Sequence, residues 1–413
     1  MTASFNRKYM PEVDHLRAFA ALLVLFYHGF QLIGSRLVHG SDFNLSFWVR
    51  ASNPVISVIE EGHSGVALFI VLSGFILSLG AVGKAIDYRK FLTARVLRIY
   101  PMFIVCLVVA ASSSPTNLTA VITSLLPLNL GEGVGGAFTS MFWAVAIEFQ
   151  CYLVFPFLMA FSNARGTRFL FRVIVVALVM RLLAVLVDGA SPRDLSYWTV
   201  VGRIDQFCLG MIAARWYVER DWNQLRAAWF APAATVAFVM LWQLNRIGGF
   251  PLAATWKIAS PTIEGAVWAC FIVTYLAFGR ILPSWLSKPG ARLGEISYSL
   301  YLMHFVVIYV IIRHGLYVQL TGNGYYDALA TTLLVALPAA TGIAILTYDT
   351  IELPFLGMRP KYIILPNSNS ESVGKAADVS RRQDQSGGLL ELPVKEGTPT
   401  ERSDALYRVD DLR

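Results

Sequence analysis

The sequence predicts an all-α fold: a polytopic membrane bundle of about ten transmembrane helices, followed by a disordered cytoplasmic C-terminal tail. Three observations carry this. Of the 413 residues, 56% are hydrophobic and only 15% charged, with a mean hydropathy of +0.56, which lies well outside the usage of soluble chains. The apolar residues gather in runs of about 20, the length needed to cross a bilayer. Finally, Lys and Arg alternate from loop to loop. With spans drawn at 15–37, 63–82, 99–113, 138–161, 169–188, 196–216, 227–244, 258–279, 293–313 and 327–351, nineteen fall on the N-terminal side and six on the other. That asymmetry expects both termini in the cytoplasm and an even number of spans. The net charge of +7 is a topology signal and does not point to nucleic acid.

The first apolar run sets the organisation. It reads Asp14-His15-Leu16-Arg17, ten uncharged residues, then His28. Eleven positions at about 100° each bring Arg17 and His28 onto one face, roughly 16 Å apart along the axis. Arg17 then lies near one membrane surface and His28 near the middle. An ionisable residue at that depth is costly and usually functional, the competing role being a satisfied histidine inside a bundle. No small-residue cleavage site follows this run, so it reads as a retained first span.

Gly65 to Phe75 opens the second span. Ser73 and Gly74 are small, which suits either close helix packing or a ligand. Lys84 to Arg98 is the most basic segment and reads as a loop ending in Arg95-Val-Leu-Arg98, whose two guanidinium groups share a helix face. They serve either as a positive-inside anchor or, with Arg17, as a clamp for phosphates, which planar guanidinium suits. Further charges fall inside spans: Glu148, Arg181, Arg203, Asp205, Glu264, His304 and Asp349, with Glu295 and Glu352 at cytoplasmic ends. Pairing explains most of them. Arg203 and Asp205, two apart, need separate partners. Cys106, Cys151, Cys208 and Cys270 all lie in apolar runs without paired spacing and read as packing residues, with no metal site expected. From about Leu365 the chain turns polar and mixed in charge, without the apolar content for a core. The organisation expected is therefore one membrane domain over 10–360 and a tail over 365–413.

Taken together, these segments resemble the acyltransferase-3 type of integral-membrane acyltransferases. The matching pieces are Pro11-Glu-Val-Asp-His-Leu-Arg-Ala through Tyr27-His28; Gly65-Val through Phe69, then Leu72-Ser-Gly-Phe75; and Arg95-Val-Leu-Arg-Ile-Tyr-Pro101. They continue with Trp143 through Glu148-Phe-Gln-Cys-Tyr-Leu153, Arg203-Ile-Asp-Gln-Phe through Gly210, Ser297-Tyr-Ser-Leu-Tyr-Leu-Met-His304, and Glu352-Leu-Pro. Ala67 and Ile70 depart from the usual acidic residue and second Phe. The resemblance implies transfer of an acyl group, acetyl being the expected one, from cytoplasmic acyl-CoA to a sugar hydroxyl of an exopolysaccharide, O-antigen, oligosaccharide or glycolipid. It also implies a bacterial inner-membrane location, acyl-CoA as co-substrate and no resident cofactor. The catalytic set expected is His28 with Asp14 and Glu148, and the acyl-CoA site is Arg17, Arg95, Arg98, Ser73 and Gly74. Arg203, Asp205, Tyr298, His304 and Glu352 are supporting residues. A neutral imidazole suits the base, since its pKa lies near ambient pH. A transporter or flippase for a glycan or glycolipid is the rival reading, because buried charges in a polytopic bundle suit it too.

Overall fold

The computed structural model describes residues 9–113, 138–139, 141–220 and 226–364. The predicted tail, and so its expected disorder, lies outside the described residues. Thirteen helices are used below: α1 (Pro11–His39), α2 (Pro54–Glu60), α3 (Ser64–Leu79), α4 (Tyr88–Ser113), α5 (Phe142–Arg165), α6 (Thr167–Asp188), α7 (Pro192–Trp198), α8 (Val200–Glu219), α9 (Phe230–Arg246), α10 (Ser260–Gly279), α11 (Ser284–Glu295), α12 (Ser297–His314) and α13 (Gly324–Gly357). Two short strands, β1 (Ala85–Ile86) and β2 (Ile363–Ile364), pair antiparallel with Ala85 opposite Ile364. Among the described residues, eight helices are long and apolar enough to cross a membrane, and α2 with α3, bent by 64°, makes up to nine. At the remaining predicted position stands α8. Its 20 residues span the required length but carry Arg203, Asp205 and Arg215. Every predicted span thus has a helical counterpart.

The first helix is the centre of the bundle. Among the eight single-helix candidate spans it is the most enclosed, with 67% of its most apolar window buried against 22% for α6. Pro11 starts it at the position where a missing N–H costs nothing, and α-geometry runs unbroken to His28. The next five residues, Gly29–Ile33, form a π turn before the α-helix resumes to His39. Glycines let neighbours approach the axis. A Cβ on Gly294 of α11 would stand 1.9 Å from the Asp14 carbonyl oxygen, and one on Gly65 of α3 would stand 2.6 Å from that of Ala20. In contrast, α6 presents Val175, Val179, Leu183 and Leu186 outward, the surface a lipid-facing helix requires.

The crossing of α3 and α8 is close on both sides, with a glycine from each helix against the other's backbone. A Cβ on Gly74 would lie 2.1 Å from the Phe207 carbonyl oxygen, and one on Gly210 would lie 2.0 Å from that of Val71. Small residues permit such backbone contact in membranes. Gly210→Val is therefore expected to separate the two helices and to cost about 1–3 kcal/mol or more by overpacking. The check is thermal unfolding of the detergent-purified variant. An unchanged midpoint would mean that this crossing is not what fixes α3.

The structure corrects three details of the sequence reading. The third span does not begin at residue 99: α4 starts at Tyr88 and runs straight through Pro101, so Arg95 and Arg98 belong to a helix. The segment before α3 is not simply a loop. Asn53 caps α2 by accepting from the Val55 N–H at 2.9 Å, with Pro54 at the first helical position. Of the four cysteines, all unpaired, Cys106, Cys151 and Cys208 are buried, but Cys270 is exposed on α10.

Candidate active site

At the end of the bundle where the chain begins, α1, α3, α4, α5, α11, α12 and α13 enclose a cavity of about 1310 Å³, larger than the few hundred to a thousand Å³ usual for small-ligand pockets. Basic side chains outnumber the lining carboxylates Asp14, Glu148 and Glu295 by six to three. Arg17, Arg95 and Arg98 all line the cavity, and so do Lys288, Arg292 and Arg359. Arg17 pairs with Asp14 at 3.3 Å and Arg98 with Glu352 at 3.8 Å. Glu352 also accepts from the Ser299 hydroxyl. Arg95 has no carboxylate partner among the described residues. Its guanidinium lies 5.5 to 5.7 Å from the ring centres of Phe91, Tyr152 and Tyr362, and its Nε is buried without a hydrogen-bond partner. Aromatic faces hold a cation in place without neutralising it. Deeper in, Glu148 accepts from the hydroxyls of Ser73 and Tyr152.

Beyond the cavity's inner end lie the two histidines. Nδ1 of His28 is 2.9 Å from Nε2 of His304, and the rings stack with centroids 5.1 Å apart. Nδ1 of His304 is 3.2 Å from the Leu300 carbonyl oxygen. A carbonyl can only accept, so His304 carries its proton on Nδ1 and its Nε2 is an acceptor. His28 must then donate from Nδ1, which leaves its own Nε2 as a free lone pair. The Leu300 carbonyl thus fixes the tautomer of His304 and, through it, the donor role of His28 Nδ1. Tyr27 and Phe305 pack against His28 at 4.7 and 5.5 Å between ring centres. Phe69 and Tyr301, edge to face at 6.0 Å, line the cavity, whereas neither histidine does.

The structure brings some predicted residues together and keeps others apart. Arg17, Arg95, Arg98, Ser73 and Tyr298 share the cavity, with the Tyr298 hydroxyl donating to the Ile99 carbonyl. Gly74 is not part of it, being turned to the backbone of α8. Asp14 and Glu148 line the cavity and make no contact with His28. Arg203 and Asp205 do find separate partners. Asp205 binds Arg181 at 2.6 Å and accepts from Thr262, while Arg203 lies 3.6 Å from Glu264 and donates to Gln206. Among the described residues no three His, Cys, Asp or Glu side chains gather as metal ligands.

On the other side of the histidines is a polar cluster that sequence reasoning missed. His63 hydrogen-bonds Glu61 at 2.9 Å, Glu61 accepts from Asn245, and Glu60 accepts from Gln31 and from the Val49 N–H. Trp48, Tyr197 and Phe250 surround the His63 ring. The available signal was the Asn53-Pro54 helix start, which places Glu60 and Glu61 on a helix end packed into the bundle. Lys257, in the loop before α10, donates to the Gly249 carbonyl at 2.7 Å and lies 4.8 Å from the Trp256 ring centre. Burial pushes its pKa down to about 8; Arg193 and Arg203 act in the same direction, and Glu61 and Glu264 oppose them. A folded pKa below the unfolded one means that the unfolded chain binds more protons between about pH 8 and the ordinary lysine value. The destabilisation is full below that window and relieved as pH rises through it. Lys257→Met is therefore expected to gain thermal stability relative to wild type at pH 7, and the gain should shrink by pH 10. A pH-independent difference would contradict the shifted pKa.

A membrane bundle with a large arginine-lined cavity on one side and a buried imidazole pair beyond the cavity's inner end suits a membrane-embedded group-transfer enzyme. The comparisons give the class its name. Residues 10–349 match the family model described as an acyltransferase domain, and the chain belongs to the acyltransferase-3 family. It is 23% identical over 311 residues to "Putative acetyltransferase ORF330" of Acidianus two-tailed virus, covering 74% of this chain and 85% of that one. It is 26% identical over 358 residues to "Putative membrane-bound transacylase BcsY" of Komagataeibacter xylinus, covering 81% of each. It is 22% identical over 386 residues to "O-acetyltransferase OatA" of Staphylococcus aureus, covering 80% of this chain and 56% of that one. The chain therefore spans little more than half the length of this staphylococcal relative. No solved structure matches.

Proposed function

We propose that the protein transfers an acyl group, acetyl in the simplest case, from acyl-CoA to a hydroxyl of a saccharide. The single observation carrying this reading is the hydrogen-bonded His28–His304 pair beyond the inner end of an arginine-lined cavity. In this reading the acyl-CoA enters from the cytoplasm, and the charge asymmetry supports putting the cavity mouth on that side. Its phosphates meet Arg17, Arg95 and Arg98, with Lys288, Arg292 and Arg359 adding charge. The thioester reaches the inner end, and the acceptor arrives from the opposite side of a bacterial inner membrane.

Nε2 of His28 takes the acceptor hydroxyl proton as the oxygen attacks the thioester carbonyl. His304 Nε2, accepting from His28 Nδ1–H, stabilises the imidazolium that forms. The C–S bond then breaks, and the imidazolium returns the proton to the departing thiolate, giving the ester and free CoA. The O-acetyltransferase and transacylase names of the relatives support this chemistry, and an exopolysaccharide, O-antigen, oligosaccharide or glycolipid hydroxyl suits it. No resident cofactor enters the scheme.

The test uses purified protein in detergent, radiolabelled acetyl-CoA and a panel of methyl hexopyranosides. Acceptor-dependent release of free CoA with label on the sugar is expected. Sugar movement across reconstituted vesicles without CoA release would overturn the reading in favour of transport.

A further inference from the structure

The Tyr301 hydroxyl is the group left over. Tyr301 is 7% exposed, and its Oη is buried with no hydrogen-bond partner. An unsatisfied buried hydroxyl is destabilising, and a buried tyrosine usually finds a partner for its O–H. Tyr301 nevertheless lines the cavity. It stands one turn before His304 on α12, hence on the same face, with ring centres 5.8 Å apart. His304 in turn holds His28. Phe69 fixes the Tyr301 ring edge to face. The phenol is thus held between the space assigned to the donor and the base that activates the acceptor.

We propose that Tyr301 is a further catalytic residue: its O–H donates a hydrogen bond to the acyl carbonyl oxygen as that oxygen becomes an oxyanion. This rests on the acyl-CoA reading above. When the acceptor oxygen forms its bond to the carbonyl carbon, the C=O electron pair moves onto oxygen. Tyr301 binds that charge and keeps its own proton. The pair returns as the C–S bond breaks, and the thiolate takes its proton from His28. A fixed neutral donor in a site closed to bulk water stabilises developing charge more than it stabilises the ground-state carbonyl. The missing partner of Tyr301 is then the substrate. A purely structural role would have the Phe69–Tyr301 pair seal the cavity from the opposite side. That role needs the ring and not the hydroxyl.

Tyr301→Phe keeps the ring and removes only the O–H. With radiolabelled acetyl-CoA and methyl hexopyranosides, kcat should fall about 10²–10³-fold, the usual loss for one oxyanion donor, with KM for acetyl-CoA within about threefold. A second readout needs no acceptor. The carbonyl stretch of bound, isotope-labelled acetyl-CoA should lie at lower frequency in wild type than in Tyr301→Phe. Wild-type turnover and an unmoved carbonyl stretch in Tyr301→Phe would overturn the proposal. If His28→Ala is inactive in the same assay, the acyl-transfer reading survives that result. If the wild-type protein neither binds nor consumes acetyl-CoA, the donor reading fails, and the role of Tyr301 falls with it.

Discussion

Replacing His28 with Ala is expected to abolish acyl transfer while leaving the protein folded and inserted. General-base catalysis is worth about 10²–10⁴ in rate, and the lone pair on Nε2 is the feature that the His304 hydrogen bond prepares. His304→Ala leaves the base in place but removes what fixes its tautomer. It should therefore retain partial activity, with a pH–rate profile shifted from that of wild type. The two variants thus separate a residue that touches the reacting atoms from one that positions it. Steady-state rates on matched amounts of monodisperse protein decide between them. If His28→Ala keeps more than about a tenth of wild-type turnover, the base assignment is wrong. If His304→Ala is the inactive variant instead, the roles are reversed.

Arg95→Gln is expected to raise the KM for acyl-CoA by about tenfold or more, with little change in the KM for the acceptor. A hydrogen bond to a charged group is worth about 1.5–3 kcal/mol, and 1.4 kcal/mol is a factor of ten. Arg95 is the cleaner probe of the pair, because its guanidinium rests on aromatic rings and leaves no buried carboxylate behind when removed. Arg98→Gln strands the buried Glu352, and breaking one half of a buried pair is strongly destabilising on its own. Arg98 should accordingly be tested together with Glu352→Gln. Titration of acetyl-CoA at saturating acceptor measures both. An unchanged KM in Arg95→Gln would return these arginines to the role of membrane anchors.

The span pattern was legible because the bilayer imposes one length on every helix and one sign on alternate loops. The face shared by Arg17 and His28 was legible because α1 keeps α-geometry between them. What stayed hidden depended on contacts between segments far apart in the chain. The His28–His304 bond joins residues 276 positions apart, and no periodicity reports it. Arg359, behind the last span, turns back to line the cavity, where sequence alone read it as a topology charge. Gly74 sat in a motif beside Ser73, but the neighbours face different elements: Ser73 to Glu148, and Gly74 to the backbone of α8. Adjacent residues on a helix point about 100° apart, so a motif quoted as one string can serve two surfaces.

The π turn at Gly29–Ile33 bears on how this chain tolerates changes of length. A π turn is one residue inserted into an α-helix. Everything after it is rotated by roughly 100° from where an uninterrupted helix would put it. Gln31 reaches Glu60 within this turn, and Gly29 lies so close to α13 that a Cβ would stand 2.1 Å from Oγ1 of Thr332. Thr332 itself begins a second π turn, Thr332–Ala336. Deleting any one residue of 29–33 would let the helix heal into regular α-geometry with its apolar composition intact. A deletion at 29 or 30 would nonetheless swing Gln31 away from Glu60, although His28 had not moved. Substitutions here are read one side chain at a time, whereas a single lost codon would re-aim every side chain that follows.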